Sequence, residues 1–157
     1  MSEADQFEEI IVALTQYNVE FMVAGGYAVN FHGFNRTTGD IDLWVKPIES
    51  NKQKVFDAIR SLNFSADSIS QILILNFEKP FAFKLGNEPV DIDIFNFITG
   101  VKYADAEKNM IRFAYSETLT VNYIHLTDLV VNKMLTGRPK DKLDVIELQN
   151  IMRFKKL

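Results

Sequence analysis

The segment Val23–Val45, VAGGYAVNFHGFNRTTGDIDLWV, constrains this chain more than any other. Val19 to Ala24 is apolar apart from Glu20, the pattern of a buried strand. Gly25 and Gly26 end it, because paired glycines accept positive φ and let other groups approach the backbone closely. Tyr27 to His32 has room for one or two helical turns, which places Gly26 near a helix N-terminus. Unpaired N–H groups and the positive end of the dipole make such a place attractive to anions. Gly33 closes the turn. GDIDLWV then reads as a second strand, whose alternation puts Asp40 and Asp42 on one face and Ile41 and Leu43 on the core face.

Two carboxylates on one face repel each other, and burying them without a partner is costly. A divalent cation resolves the conflict, and an oxygen-only ligand set favours Mg²⁺ or Mn²⁺ over zinc. A lone D-x-D is more often a pair of solvated acids at a strand end. The Gly-Gly turn in the same strand-helix-strand unit changes those odds, since a phosphate cradle would then face a cation site. A second pair follows in Val90 to Phe95, VDIDIF, with Asp91 and Asp93 sharing a face. If that strand lies beside the first, three or four carboxylates converge, and like charges side by side call for a counter-ion.

The remaining segments supply the frame. Phe7, Ile10, Ile11 and Leu14 have helical spacing, so residues 3 to 17 form an amphipathic helix with Asn18 as its stop. Pro47 ends the second strand. Ser50 and Gln53 read as a capping box for a helix carrying Val55, Ile59 and Leu62. Residues 65 to 79 read equally as a short helix or a strand. Phe81 to Leu85 reads as a strand joined to VDIDIF through a hairpin turn at Gly86 and Asn87. Tyr103 to Met110 reads as a short helix, followed by strands Ile111 to Tyr115 and Leu119 to Ile124 around a turn at Ser116 to Thr118. Thr127 reads as the cap of a helix reaching Leu135. Gly137 ends that helix and Pro139 opens the last one, whose apolar row is Val145, Leu148 and Met152.

Composition sets the outer bounds. A chain of 157 residues suits one domain, and 47% hydrophobic with 24% charged residues describes a soluble globular protein. The net charge of −4 argues against a general nucleic-acid coat. Without cysteine there is neither disulfide nor thiolate metal site, and the acidic N-terminus lacks a signal-peptide core. No apolar run approaches membrane-spanning length, so the expectation is a cytoplasmic protein without membrane contact. Only His32 and His125 are present, too far apart in sequence to suggest a histidine metal site.

The first segment resembles the nucleotidyltransferase superfamily related to DNA polymerase beta. Small bacterial members carry a run like G-G-x-A-x-x-x-H-G-x-x-R-x-T-x-D-I-D-L, matched here by Gly25, Gly26, Ala28, His32, Gly33, Arg36, Thr38, Asp40, Ile41, Asp42 and Leu43. Their third acid stands in a pattern D-h-h-x-x-h-x-G, where h is apolar. Asp93 with Ile94, Phe95, Ile98 and Gly100 fits it; Asp91 lies two residues early. A third run, L-x-x-x-K-x-x-x-G-R-x-K-D-x-x-D-x-x-x-L, is matched from Leu129 to Leu148 through Lys133, Gly137, Arg138, Lys140, Asp141 and Asp144.

The resemblance implies an α+β fold, a mixed sheet flanked by helices over residues 1–157. It implies transfer of a nucleoside monophosphate from a nucleoside triphosphate, ATP among the candidates, to an acceptor hydroxyl, with one Mg²⁺ or Mn²⁺ ion on Asp40 and Asp42 holding the triphosphate and a second, shared with Asp93, lowering the pKa of the acceptor. Asp91 is a neighbour that replaces or tunes the third acid. Gly25, Gly26, Arg36, Thr38, Lys133 and Arg138 are the implied nucleotide contacts. For Lys133 and Arg138 a purely structural role in a helix-helix corner weighs as much, with Asp141 and Asp144 orienting them. RNA, a protein and a small molecule all remain open as acceptor. The rival is a regulatory or non-catalytic member of a toxin–antitoxin or phage-defence pair, acting with a partner protein; an antibiotic-modifying enzyme is the small-molecule variant of the same chemistry.

Overall fold

The computed structural model describes residues 2–86 and 89–157. Helix α1 (Glu3–Gln16) opens on a capping box that the sequence reading did not place. The Ser2 hydroxyl accepts the Asp5 N–H at 3.1 Å and donates to the Asp5 carboxylate at 2.7 Å. Its buried stripe includes Phe7, Ile10, Ile11 and Leu14, and Asn18 turns the chain at φ 58°, as expected of a stop. Strand β1 (Phe21–Ala24) runs straight into helix α2 (Gly25–Phe31), so the two glycines are the first residues of the helix rather than a turn before it.

Strand β2 (Asp40–Val45) is followed by a 3₁₀ turn at Glu49–Asn51 and helix α3 (Lys52–Arg60). The expected Ser50–Gln53 capping box does not form. Asn51 stands at the helix start instead, with its side chain occupied elsewhere. It accepts the Glu20 N–H at 3.0 Å and donates to the carbonyls of Glu20 at 2.9 Å and Lys46 at 3.2 Å, tying β1 to β2. Gln53 donates to Asp57 one turn on. The ambiguous stretch resolves into two helical turns, α4 (Ala66–Ile69) and α5 (Gln71–Ile74), each with one fully buried isoleucine.

Strand β3 (Ala82–Leu85) and strand β4 (Asp91–Phe95) pair antiparallel as expected; the Gly86–Asn87 turn between them lies partly outside the described residues, at Asn87. Helix α6 (Tyr103–Asn109), strands β5 (Ile111–Ala114) and β6 (Thr120–Tyr123), and helices α7 (Leu126–Thr136) and α8 (Pro139–Lys155) complete the chain. His125, not Thr127, caps α7: its Nδ1 accepts the Thr127 N–H at 3.1 Å. Gly137 closes α7 in the left-handed region and Pro139 opens α8, both as expected.

The strands form one mixed sheet in the order β3-β4-β2-β1-β6-β5. The neighbours β2 and β4 are parallel, with Asp40 opposite Asp91 and Asp42 opposite Asp93. Alternation works as read: Ile41, Leu43, Ile92 and Ile94 are fully buried on the face opposite the acids. Each such side chain contributes roughly 1.5–3 kcal/mol on burial, so the register is strongly specified. Helix α1 pins β4 through buried Gln6, which donates to the Val90 carbonyl at 2.8 Å and accepts the Val90 N–H at 3.0 Å. On α8 the buried row is Asp141, Asp144 and Leu148. Val145 and Met152 are only half-buried, so the expected apolar row is displaced by two acids.

Candidate active site

Three side chains converge because β2 and β4 are neighbours. One carboxylate oxygen from each of Asp40, Asp42 and Asp93 lies within 4.8 Å of the others. Asp91 stands beside Asp40 in register but outside this group. The donor set is all oxygen and carries three potential negative charges, which suits a hard divalent cation of the Mg²⁺ or Mn²⁺ type.

The electrostatics show how strained the cluster is. Burial pushes the Asp42 carboxyl up to about 7, and the charge of Asp93 beside it adds to the shift. Burial raises Asp93 as well, with the charge of Asp40 the next cause. At neutral pH this pair therefore shares a proton for part of the time.

The glycines before the cluster are required by space. Gly25 has φ +58°, and a β-carbon there would collide with the Asp42 carboxylate. A β-carbon on Gly26 would collide with the Thr38 hydroxyl. That hydroxyl donates to the Asp40 carbonyl at 3.1 Å, fastening the loop before β2 to the strand that carries the acids. The bare backbone of the Gly-Gly step thus lies directly against the carboxylates.

The basic residues form a network. Asp144, buried on α8, accepts two parallel hydrogen bonds from Arg36, Nε at 2.7 Å and Nη2 at 2.8 Å. The remaining Arg36 nitrogen donates to the Thr37 carbonyl at 2.9 Å. Lys133, only 4% exposed, puts its Nζ 3.1 Å from Asp141 and 3.0 Å from Asp144. Arg138 donates its Nε to Asp141 at 2.7 Å. Burial by itself would raise Asp141, but hydrogen bonds from Arg138, Thr136 and Lys133 outweigh it and hold the carboxyl well below the usual range. Three cations thus share two buried carboxylates, leaving one positive charge over, and the network clamps the 36–38 loop to the α7–α8 corner. Asp141 and Asp144 are the centre of this network, a role that their sequence reading as orienting groups understates.

A cleft of about 430 Å³ takes in both parts. Gly25, Gly26, Arg36, Thr38, Asp40, Asp42, Asp93, Lys133 and Arg138 all line it, so the implied metal ligands and nucleotide contacts meet there, while Asp91 and the orienting acids Asp141 and Asp144 do not line it. Phe95, Phe97 and Ile98 add an apolar part to its lining. His32 lies away from it, its Nε2 donating to the Ile124 carbonyl at 2.7 Å, in agreement with a packing role.

Sequence reasoning missed Lys84. Its Nζ stands 3.2 Å from Asp40 Oδ1 and 3.8 Å from Asp93 Oδ1. The hydrogen bond to Asp40, followed by the charge of Asp93, raises its pKa. The one available signal was a lysine in a strand that hairpins onto VDIDIF.

Three converging carboxylates beside a Gly-Gly step, on a mixed sheet flanked by helices, define a nucleotidyltransferase-like fold. Residues 3–154 match the model of a family described as a nucleotidyltransferase of unknown function (DUF6036), and the chain belongs to that family. No curated protein matches it. No helix among the described residues is long and apolar enough to cross a membrane.

Proposed function

We propose that this protein transfers a nucleoside monophosphate from a nucleoside triphosphate to an acceptor hydroxyl, releasing pyrophosphate. The observation that carries the reading is the convergence of Asp40, Asp42 and Asp93 within one ligand sphere, against a Gly-Gly step that admits no side chain. A Mg²⁺ or Mn²⁺ ion held by these three carboxylates would neutralise the triphosphate and lower the pKa of the acceptor hydroxyl.

The chain's own residues supply position and charge. Gly25 and Gly26 offer backbone N–H groups at the start of α2, beside the carboxylates, for the phosphates. Thr38 holds the Asp40 backbone in place. Arg138, whose side chain is 60% exposed, is better placed to reach a phosphate than nearly buried Lys133, which acts through the network behind it. Arg36 has its donors committed to Asp144 and Thr37, and its contribution is to hold the phosphate loop and lend net charge. Such positioning and charge neutralisation supply most of the rate in phosphoryl-type transfers. The apolar part of the lining, Phe95, Phe97 and Ile98, suits a base or the carbon frame of an acceptor.

The test is a set of nucleoside triphosphates labelled at the α-phosphate, incubated with the protein, Mg²⁺ or Mn²⁺, and fractionated cell extract. Label moving to one fraction with release of pyrophosphate, lost in Asp93→Asn, is the expected result. Absence of both transfer and pyrophosphate with every triphosphate would sink the reading and favour a non-catalytic role in a paired system.

A further inference from the structure

Lys84 has no part in the resemblance that pointed to the other residues, yet the sheet places it on the cluster. Cross-strand partners project from the same face. Lys84 is the antiparallel partner of Asp93, and Asp93 is the parallel partner of Asp42, so one row of side chains runs Lys84–Asp93–Asp42 across three strands. Leu85, the next residue, is buried on the other face, which fixes the orientation of Lys84 by the pleat. The sheet order β3-β4-β2-β1 sets Lys84 on one side of the carboxylates and the Gly-Gly step, which follows β1, on the other. The two flanks are therefore unlike: backbone N–H groups on the phosphate side, an ammonium on the opposite side.

We propose that Lys84 is a resident counter-ion that holds the Asp40–Asp93 edge, so that the cluster binds one divalent cation strongly and a second only weakly. The proposal rests on the nucleotidyl-transfer reading and deepens it by assigning the second positive charge of the site to a side chain. Charge balance supports it. With all three carboxylates ionised, the cluster carries three negative charges; one divalent cation and one ammonium cancel them. A second divalent cation on the same edge would meet the ammonium at close range and would have to displace it. The ammonium is 3.2 Å from Asp40 and 3.8 Å from Asp93, and its side chain is 52% exposed, so it can be exchanged without disturbing the core.

Titration of the whole chain with Mn²⁺, following free Mn²⁺ by electron paramagnetic resonance, tests this without relying on activity. The parent and Lys84→Arg should each show one strong site. Lys84→Met should acquire a second site, or bind at the Asp40–Asp93 edge about tenfold or more tightly than the parent, the size expected for one charge-assisted contact. Thermal melts check that the variants remain folded, as an exposed position on an edge strand allows. Two equal sites in the parent, or indistinguishable titrations for parent and Lys84→Met, would overturn the proposal. If those results come with label transfer intact, the function stands and only the role of Lys84 falls. If neither chain binds Mn²⁺ at all, the metal-dependent reading falls with it.

Discussion

Asp42 on β2 and Asp93 on β4 are register partners on adjacent parallel strands, and a carboxylate oxygen of each lies within 4.8 Å of the other. Cross-strand like charges are normally destabilising. Here the burial that isolates the pair also raises both carboxyls, so the fold tolerates the contact by retaining a proton until a cation arrives.

Metal affinity should therefore depend on pH. A proton on Asp42 must leave before its carboxylate can bind a cation. Mn²⁺ affinity should rise with pH up to about 7. Below that point it should fall by up to about tenfold per pH unit for one displaced proton. Calorimetric titrations across neutral pH would show it, and a flat profile through acid pH would contradict the shared-proton pair.

Asp93 and Asp91 should behave differently. Only Asp93 belongs to the converging group. Asp93→Asn should abolish strong Mn²⁺ binding and transfer, while Asp91→Asn should keep both within about tenfold, the loss expected of one charge-assisted contact outside the ligand sphere. The reverse ranking would mean that the β2–β4 register is shifted by one pair.

Gly25→Ala tests the close approach. The added methyl would push into the Asp42 carboxylate, and the φ of +58° would strain an alanine, costing about 1–2 kcal/mol from the backbone alone. Chemical denaturation should show a folded but less stable protein with its metal binding lost. Unchanged Mn²⁺ affinity would show that Asp42 can move aside.

Lys133 should matter to stability before it matters to nucleotide binding. Its removal leaves two buried carboxylates without their shared cation. Breaking a buried pair in this way costs about 3–5 kcal/mol, a fall of roughly 6–20 °C in Tm for a chain of this size. A Lys133→Ala protein that melts with the parent but binds nucleotide poorly would reverse the assignment.

Acid should unfasten the same corner. Asp141 has a folded pKa depressed below its unfolded value, so its stabilising contribution is present above the unfolded value of 3.8 and is lost as pH falls through the folded one. Urea midpoints should drop between about pH 5 and pH 2 in the parent, and less steeply in Asp141→Asn, which starts less stable. Equal slopes would show that the loss comes from carboxylates elsewhere.

Local pattern alone determined much of this molecule. The period-two alternation of DIDLWV and VDIDIF separated acids from core, because a strand side chain has only two faces to choose between. Gly25 and Gly26, the Asn18 stop and the Gly137–Pro139 break were legible because their backbone demands are carried by single residues. The tertiary structure decided what depends on neighbours distant in sequence. Strand order placed Asp93 between Lys84 and Asp42, and no spacing along the chain encodes that order. Helix packing buried Asp141 and Asp144, which read in sequence only as groups orienting Lys133 and Arg138 at a helix-helix corner, and brought Arg36 to them as well. The same reason explains the misplaced caps: Asn51 and His125 took their partners from geometry that Ser50 and Thr127, judged by residue type, could not reveal. An amphipathic pattern reports which side of an element is dry, but a buried charge is stable only through its partner, and partners are chosen by the fold.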